Sequence, residues 1–197
     1  GLLSYAASYG TGYAGAYLER YGDHVKALVL DGVYDHSADM PTDLTRHILS
    51  VQDGFDRFGR WCTRDPSCVL HGEDVGKVFD AVIAKAPAVR TIVPQLMVLG
   101  RDPKMGLPAL ALMLAQVRDG DAKTLETLTG AASIASTAED PALKAGKEGL
   151  QRGVQCSDVG PQADYANLLA AYKALEPKAP RFAWKFWDGT PVAHATY

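Results

Sequence analysis

Near the start of the chain, Ala6-Ala7-Ser8-Tyr9-Gly10 sets a serine between small residues two positions before it and two after it. A serine hydroxyl is exposed for attack when it sits on a sharp strand-to-helix turn. Small flanking residues are needed there because the backbone passes itself closely. The spacing is that of the nucleophile elbow, usually written G-x-S-x-G, with Ala6 standing where glycine is usual. The turn also aims the backbone N–H of Tyr9 at the space beside the Ser8 hydroxyl, where the oxyanion of an acyl transfer forms, and the following helix N-terminus adds a favourable field. Ser8 is therefore the candidate nucleophile and Tyr9 the candidate oxyanion donor. A small-x-Ser-x-Gly string also arises by chance in glycine-rich turns, so the flanking elements must decide.

Leu2 to Ala7 is a short apolar run, and Tyr9-Gly10-Thr11-Gly12 is a tight passage opening onto a helix over Tyr13 to Tyr21, stopped by Gly22 and Asp23. Val25 to Leu30 is nearly continuously apolar and ends at Asp31-Gly32, as expected of a strand buried in a parallel sheet. Strand, sharp turn, helix and strand make a right-handed crossover unit. From about residue 36 helical periodicity takes over. Leu44, Ile48, Val51, Phe55 and Phe58 line one face of a helix predicted from near Pro41-Thr42-Asp43 to Trp61. Val75, Val78, Phe79, Val82 and Ile83 form a second stripe ended by Pro87, and Leu107 to Val117 a third closed by Asp119-Gly120. Further helices are expected over residues 121–136, 149–156 and 164–175. Phe182, Trp184, Phe186 and Trp187 alternate as a strand would and read as core. The fold class is α/β: a piece of α/β core followed by a large, mainly helical insertion.

The 197 residues are 47% hydrophobic and 22% charged, which belongs to a globular chain rather than a disordered or fibrous one. With 20 Lys+Arg against 23 Asp+Glu and a net charge of -3, there is no sustained positive field for nucleic acid or an anionic membrane. No apolar run reaches the about 18 residues needed to span a bilayer. His/Cys metal spacing, a phosphate loop and a dinucleotide fingerprint are all lacking. Gly10-Thr11-Gly12 has no third glycine, so no cofactor is implied. The chain opens at Gly1-Leu2-Leu3 without a signal-peptide pattern and closes on the aromatic-rich stretch from Trp184 to Tyr197; both ends read as breaks in a longer fold. Cys62 and Cys68 bracket the turn-prone Thr63-Arg64-Asp65-Pro66-Ser67 and suit a local disulfide, while three reduced core thiols are the plainer alternative. If the pair is oxidised, Cys156 is left over and calls for a cysteine outside this chain segment.

Ala7-Ser8-Tyr9-Gly10-Thr11, then Tyr17-Leu18-Glu19-Arg20-Tyr21 and Val25 through Val33, resemble the elbow, helix and next strand of the secreted tripeptidyl-aminopeptidase-like branch of the α/β-hydrolases. Phe58-Gly59-Arg60-Trp61-Cys62 with Cys68 is similar to its F-x-x-W-C…C segment, and Val154-Gln155-Cys156-Ser157-Asp158 to its C-x-D segment. Residues 85–150 carry little of this resemblance. The resemblance implies an α/β-hydrolase core with a helical lid inserted after the strand ending at Leu30: core over residues 1–35, lid over 36–180, and a return segment over 181–197. It implies a secreted or cell-envelope serine peptidase that releases short peptides from N-termini through an acyl-enzyme on Ser8. The second oxyanion donor would lie upstream of the elbow, and the triad Asp and His beyond Tyr197.

A base for Ser8 must be a histidine within hydrogen-bond reach, and the chain has His24, His36, His47, His71 and His194. Asp31 or Asp188 followed by His194 satisfies the order Ser, Asp, His, although Asp31-Gly32 reads better as a turn closing its strand. An aminopeptidase of this kind needs a lid carboxylate for the substrate's α-amino group, for which Asp53, Asp56, Glu73 and, ahead of them, Asp158 are available. Two other readings compete. A carboxylesterase or lipase would use the same elbow, and in an inactive helical binding module Ser8 would be only a turn residue.

Overall fold

The computed structural model describes residues 1–35, 37–87, 89–99, 106–121, 123–124, 146, 149–150, 153 and 164–188. It begins with β1 (Leu2–Ala7), α1 (Gly10–Tyr21), a short 3₁₀ turn (Gly22–His24) and β2 (Val25–Asp31). The two strands pair in parallel, Leu2 opposite Val25 and Ala7 opposite Asp31, so the chain crosses over through α1 as the apolar runs predict. The helix starts at Gly10, three residues ahead of the expected Tyr13, so the tight passage is the first turn of α1 rather than a loop before it.

Parallel strands are apolar on both faces because helices normally cover both. Here Ser4 and Ala6 of β1 face the side on which α1 lies, and a groove there is lined by Leu2, Tyr13, Tyr17, Val25 and Leu28. On the other face Leu3 and Val29 are 68% and 59% exposed.

The helical part follows as α2 (Met40–Arg64), α3 (Val75–Lys85), α4 (Val89–Leu99), α5 (Gly106–Asp119), α6 (Tyr165–Leu175) and the short α7 (Lys185–Asp188). Capping carboxylates start three of them. Asp39 accepts the Thr42 N–H at 2.8 Å, Asp74 the Lys77 N–H at 3.1 Å and Asp164 the Ala166 N–H at 3.1 Å. The 4-3-4-3 stripe of α2 is buried at Ile48, Val51, Phe55 and Phe58, and α2 packs against α3, α4, α6 and α7. Phe55 meets Phe79 of α3 and Phe182 at ring-centroid distances of 4.9 and 5.5 Å. The hydrophobic core gathers residues from Met40 to Phe186 and none from the crossover unit, among the described residues.

Three further expectations change. Helix α2 runs one turn beyond Trp61 to Arg64, ending where Asp65 takes its C-cap position. Helix α4, unforeseen, contains Pro94; burial of Val89 and Val93 against its neighbours offsets the hydrogen bond that proline removes. The aromatic stretch is not a strand. Residues 176–184 are turns leading into α7, with Lys185 N–H to Phe182 O at 3.0 Å and Phe186 N–H to Ala183 O at 2.9 Å. Phe182 and Phe186 are buried as expected, because a spacing of four suits one face of a helical turn as well as one face of a strand.

Cys62 and Cys68 form a disulfide with their Cα atoms 5.1 Å apart. The intervening turn closes through Cys68 N–H to Asp65 O at 3.0 Å and Ser67 N–H to the Asp65 carboxylate at 2.9 Å. The Ser67 contacts, backbone first, hold the Asp65 carboxyl below its ordinary range. Cys156 lies outside the described residues.

Candidate active site

Ser8 occupies the two-residue turn between the end of β1 and the start of α1, and it is exposed. Its φ of 53° makes it the one non-glycine residue in the left-handed region among the described residues. A side chain there crowds the following carbonyl at a cost of about 1–2 kcal/mol, so the surrounding structure must impose it. It does so through hydrogen bonds on both backbone groups of Ser8. The Ser8 N–H donates to Asp31 O at 2.8 Å; the Ser8 carbonyl accepts the Thr11 N–H at 3.0 Å and the Thr11 hydroxyl at 2.7 Å. Gly32, at φ 65°, makes the turn beside it that closes β2, as Asp31-Gly32 predicts.

Tyr9 stands in the right-handed helical conformation at the N-cap of α1, where backbone N–H groups and the positive end of the helix dipole lie. Its ring lies 5.5 Å from that of Tyr13 and 5.4 Å from that of Tyr34. At Gly10 an added Cβ would meet nothing within 4 Å, so no described neighbour enforces the small residue expected there.

The described histidines lie on three separate elements. His24 ends the 3₁₀ turn before β2, at the opposite end of the parallel pair from Ser8, which is about 20 Å along a strand of this length. His47 is exposed on α2, and the His71 ring Nδ1 lies 3.0 Å from Cys62 O in the disulfide loop. None of these three is hydrogen-bonded to Ser8 among the described residues. His36 and His194 lie outside the described residues. The Asp31 carboxylate accepts the Tyr5 hydroxyl at 2.6 Å across the two strands. That bond, reinforced by desolvation and by the carboxylate's charge, raises the Tyr5 phenol above its ordinary value. Asp188 ends α7.

The candidate carboxylates of the helical part divide. Asp56 and Glu73 line one open groove of about 650 Å³ with Phe55, Arg60, Arg64 and Arg181. Asp53 instead pairs with Arg57 at 2.9 Å. Glu73 is bound by Arg118, and Asp56 accepts the Gln52 amide at 2.9 Å. Arg181 is held bidentately by Asp80, at 3.0 and 2.9 Å. Asp158 lies outside the described residues. No group of His, Cys, Asp and Glu suited to a metal ion occurs among the described residues, and none of their helices is long and apolar enough to cross a membrane.

Sequence reasoning missed Thr11 and Tyr34. Thr11 is 1% exposed, and its hydroxyl accepts the Tyr34 N–H at 2.8 Å while donating to Ser8 O. Burial and the nearby negative charge of Asp43 push the Tyr34 phenol up. The available signal was a threonine set between two glycines, three residues after the serine.

Over part of its length the chain is similar to proteins named as hydrolases. It is 39% identical over 75 residues to the hydrolase-named YuaR of Escherichia coli K12, covering 36% of this chain and 15% of that protein. To the serine protease Hip1 of Mycobacterium tuberculosis it is 34% identical over 73 residues, covering 37% of this chain and 14% of Hip1. Carboxylesterase B of Mycobacterium tuberculosis is 40% identical over 53 residues, covering 27% of this chain and 10% of the enzyme. The matched stretch therefore spans a small part of each relative. No family model matches the chain, and no solved structure matches it.

Proposed function

We propose that this chain carries the nucleophile and lid of a serine hydrolase of the tripeptidyl-aminopeptidase-like kind, acting on peptide N-termini. The carrying observation is the left-handed Ser8 at an exposed strand-to-helix turn, with both its backbone groups tied down. In the proposed reaction Ser8 Oγ bonds to the substrate's carbonyl carbon while its proton passes to a histidine. The tetrahedral oxyanion rests on the Tyr9 N–H and a second donor, and the amine leaves with the proton that the histidine returns. Water then attacks the acyl-enzyme and releases Ser8. The histidine, its aspartate and the second donor are assigned to parts of the whole protein outside these residues. Both faces of β1 and β2 being apolar supports a larger sheet around them.

Residues 1–35 are then the core piece, 36–180 the lid and 181–197 the return towards the core. Asp158 is assigned to the substrate's α-amino group. The Cys62–Cys68 disulfide supports an extracytoplasmic site of action, secreted or at the cell envelope, with Cys156 paired outside this segment.

A fluorophosphonate probe applied to the intact protein is expected to label Ser8 and to leave a Ser8→Ala variant unlabelled; equal labelling of both overturns the assignment. The carboxylesterase match favours a second reading, an esterase with the same elbow. Comparing kcat/KM on tripeptide arylamides and p-nitrophenyl esters separates the two, since an ester preference supports the second.

A further inference from the structure

We propose that Thr11 is a positioning residue for the nucleophile, its hydroxyl holding the Ser8 turn against the segment that leads from β2 into α2. This rests on the reading of Ser8 as nucleophile. Among the described residues ahead of Met40, Thr11 is the one buried side chain, in a unit whose larger side chains are mostly exposed. A threonine in the first turn of a helix often bonds back to a carbonyl three residues earlier. Here the same hydroxyl does more: its proton goes to Ser8 O at 2.7 Å, and a lone pair takes the Tyr34 N–H at 2.8 Å, 23 residues along the chain.

The Ser8 carbonyl thereby accepts from Thr11 twice, through N–H and hydroxyl, while its N–H is held by Asp31 O. A strained φ relaxes when either tie is lost, and rotation about that bond swings Oγ away from the line of attack. Misplacement by about 1 Å costs on the order of a hundredfold in rate. Tyr34 carries the tie onward, since its ring lies 5.4 Å from that of Tyr9 and it sits in the segment that runs from the end of β2 towards α2. The Thr11 hydroxyl thus joins three things that must keep register: the nucleophile, the residue offering the oxyanion N–H, and the entry to the lid.

The test measures the rate constant for fluorophosphonate labelling, kcat and KM separately, and Tm in the intact protein, for Thr11→Val and Thr11→Ser. Valine keeps the volume and removes both hydroxyl bonds; serine keeps both bonds and removes a methyl. Thr11→Val is expected to slow labelling by about tenfold or more and to act on kcat rather than KM, and Thr11→Ser to restore nearly the parent rate. Labelling of Thr11→Val at the parent rate, even with a lower Tm, overturns the proposal by reducing Thr11 to a stability role. If Thr11→Val does not fold, Thr11→Cys takes its place as a near-isostere with a weak donor; equal rates for cysteine and serine are the overturning result. Undiminished labelling of Ser8→Ala marks failure of the underlying reading instead, because it removes the nucleophile whatever Thr11 does.

Discussion

The main-chain carbonyl of Asp31 accepts the Ser8 N–H at 2.8 Å, so the last residue of β2 holds the turn that follows β1. The same residue's carboxylate reaches back to the Tyr5 hydroxyl in the middle of β1. Asp31 thus works in two separable ways, a backbone tie that any residue can make and a side-chain tie that is its own.

That separation predicts the behaviour of Asp31→Asn. The carbonyl survives, so kcat/KM is expected to stay close to the parent value. A loss on the order of 10⁴-fold, as replacement of a triad carboxylate gives, would instead place Asp31 in the triad. The Tyr5 phenol, raised in the fold by its bond to Asp31, is expected to fall back towards the ordinary tyrosine range in this variant. The sign follows from linkage: a folded pKa above the unfolded one stabilises the protein below the unfolded value, and the contribution fades as pH rises through the folded value. Ultraviolet tyrosine titration of the parent, Asp31→Asn and Tyr5→Phe checks this, because one phenol titrating above the ordinary range should be lost in Tyr5→Phe.

At Ser8 the positive φ predicts an inverted preference between glycine and alanine. In regular structure glycine costs roughly 0.5–1 kcal/mol relative to alanine, whereas a left-handed position penalises any Cβ by about 1–2 kcal/mol. Ser8→Gly should therefore be more stable than Ser8→Ala by roughly 1 kcal/mol in urea denaturation. Alanine being the more stable would mean that the turn relaxes out of the left-handed region.

The crossover unit was legible because its signals are local: a continuous apolar run, a turn of small residues and an Asp-Gly stop each act within a few positions. Helix α2 was legible for the same reason, through a four-and-three stripe that Asp39 caps. Tertiary contacts hid the rest. Helix α4 forms despite Pro94 because Val89 and Val93 are fully buried. The alternation of Phe182, Trp184 and Phe186 suits a strand and a helical turn equally until the packing partner, Phe55, is known. At the candidate site, the strand-to-helix turn that carries Ser8 could be read from its spacing together with its flanking elements. Thr11 could not, since its partner Tyr34 lies in a loop that carries no periodicity.

The disulfide predicts a modest loss of stability when the bond is removed. Six residues of separation close a short loop, worth about 2 kcal/mol in the chain-entropy description. Both sulfurs are buried, Cys62 fully and Cys68 nearly so. Under non-reducing conditions the native protein should leave both thiols unalkylated by iodoacetamide, and Cys62→Ala with Cys68→Ala should lower stability by about that amount. Alkylation of either residue without reductant would show that the pair is not oxidised.

Gln52 offers a stabilising change in α2. Its side chain is 6% exposed, its amide nitrogen donates to Asp56, and its Oε1 has no partner among the described residues. A buried acceptor without a partner costs about 1–3 kcal/mol, and apolar replacement of similar shape removes that cost. Asp56 is exposed, so water can take over the bond it loses. Gln52→Met is therefore expected to raise stability by roughly 1 kcal/mol, visible as a higher urea midpoint at unchanged slope. Gln52→Glu, which buries a carboxylate next to the exposed Asp56, is expected to lower it, and more steeply as pH rises above the carboxylate range. A destabilised Gln52→Met would mean that Oε1 is satisfied in solution, by a bound water or by another part of the protein.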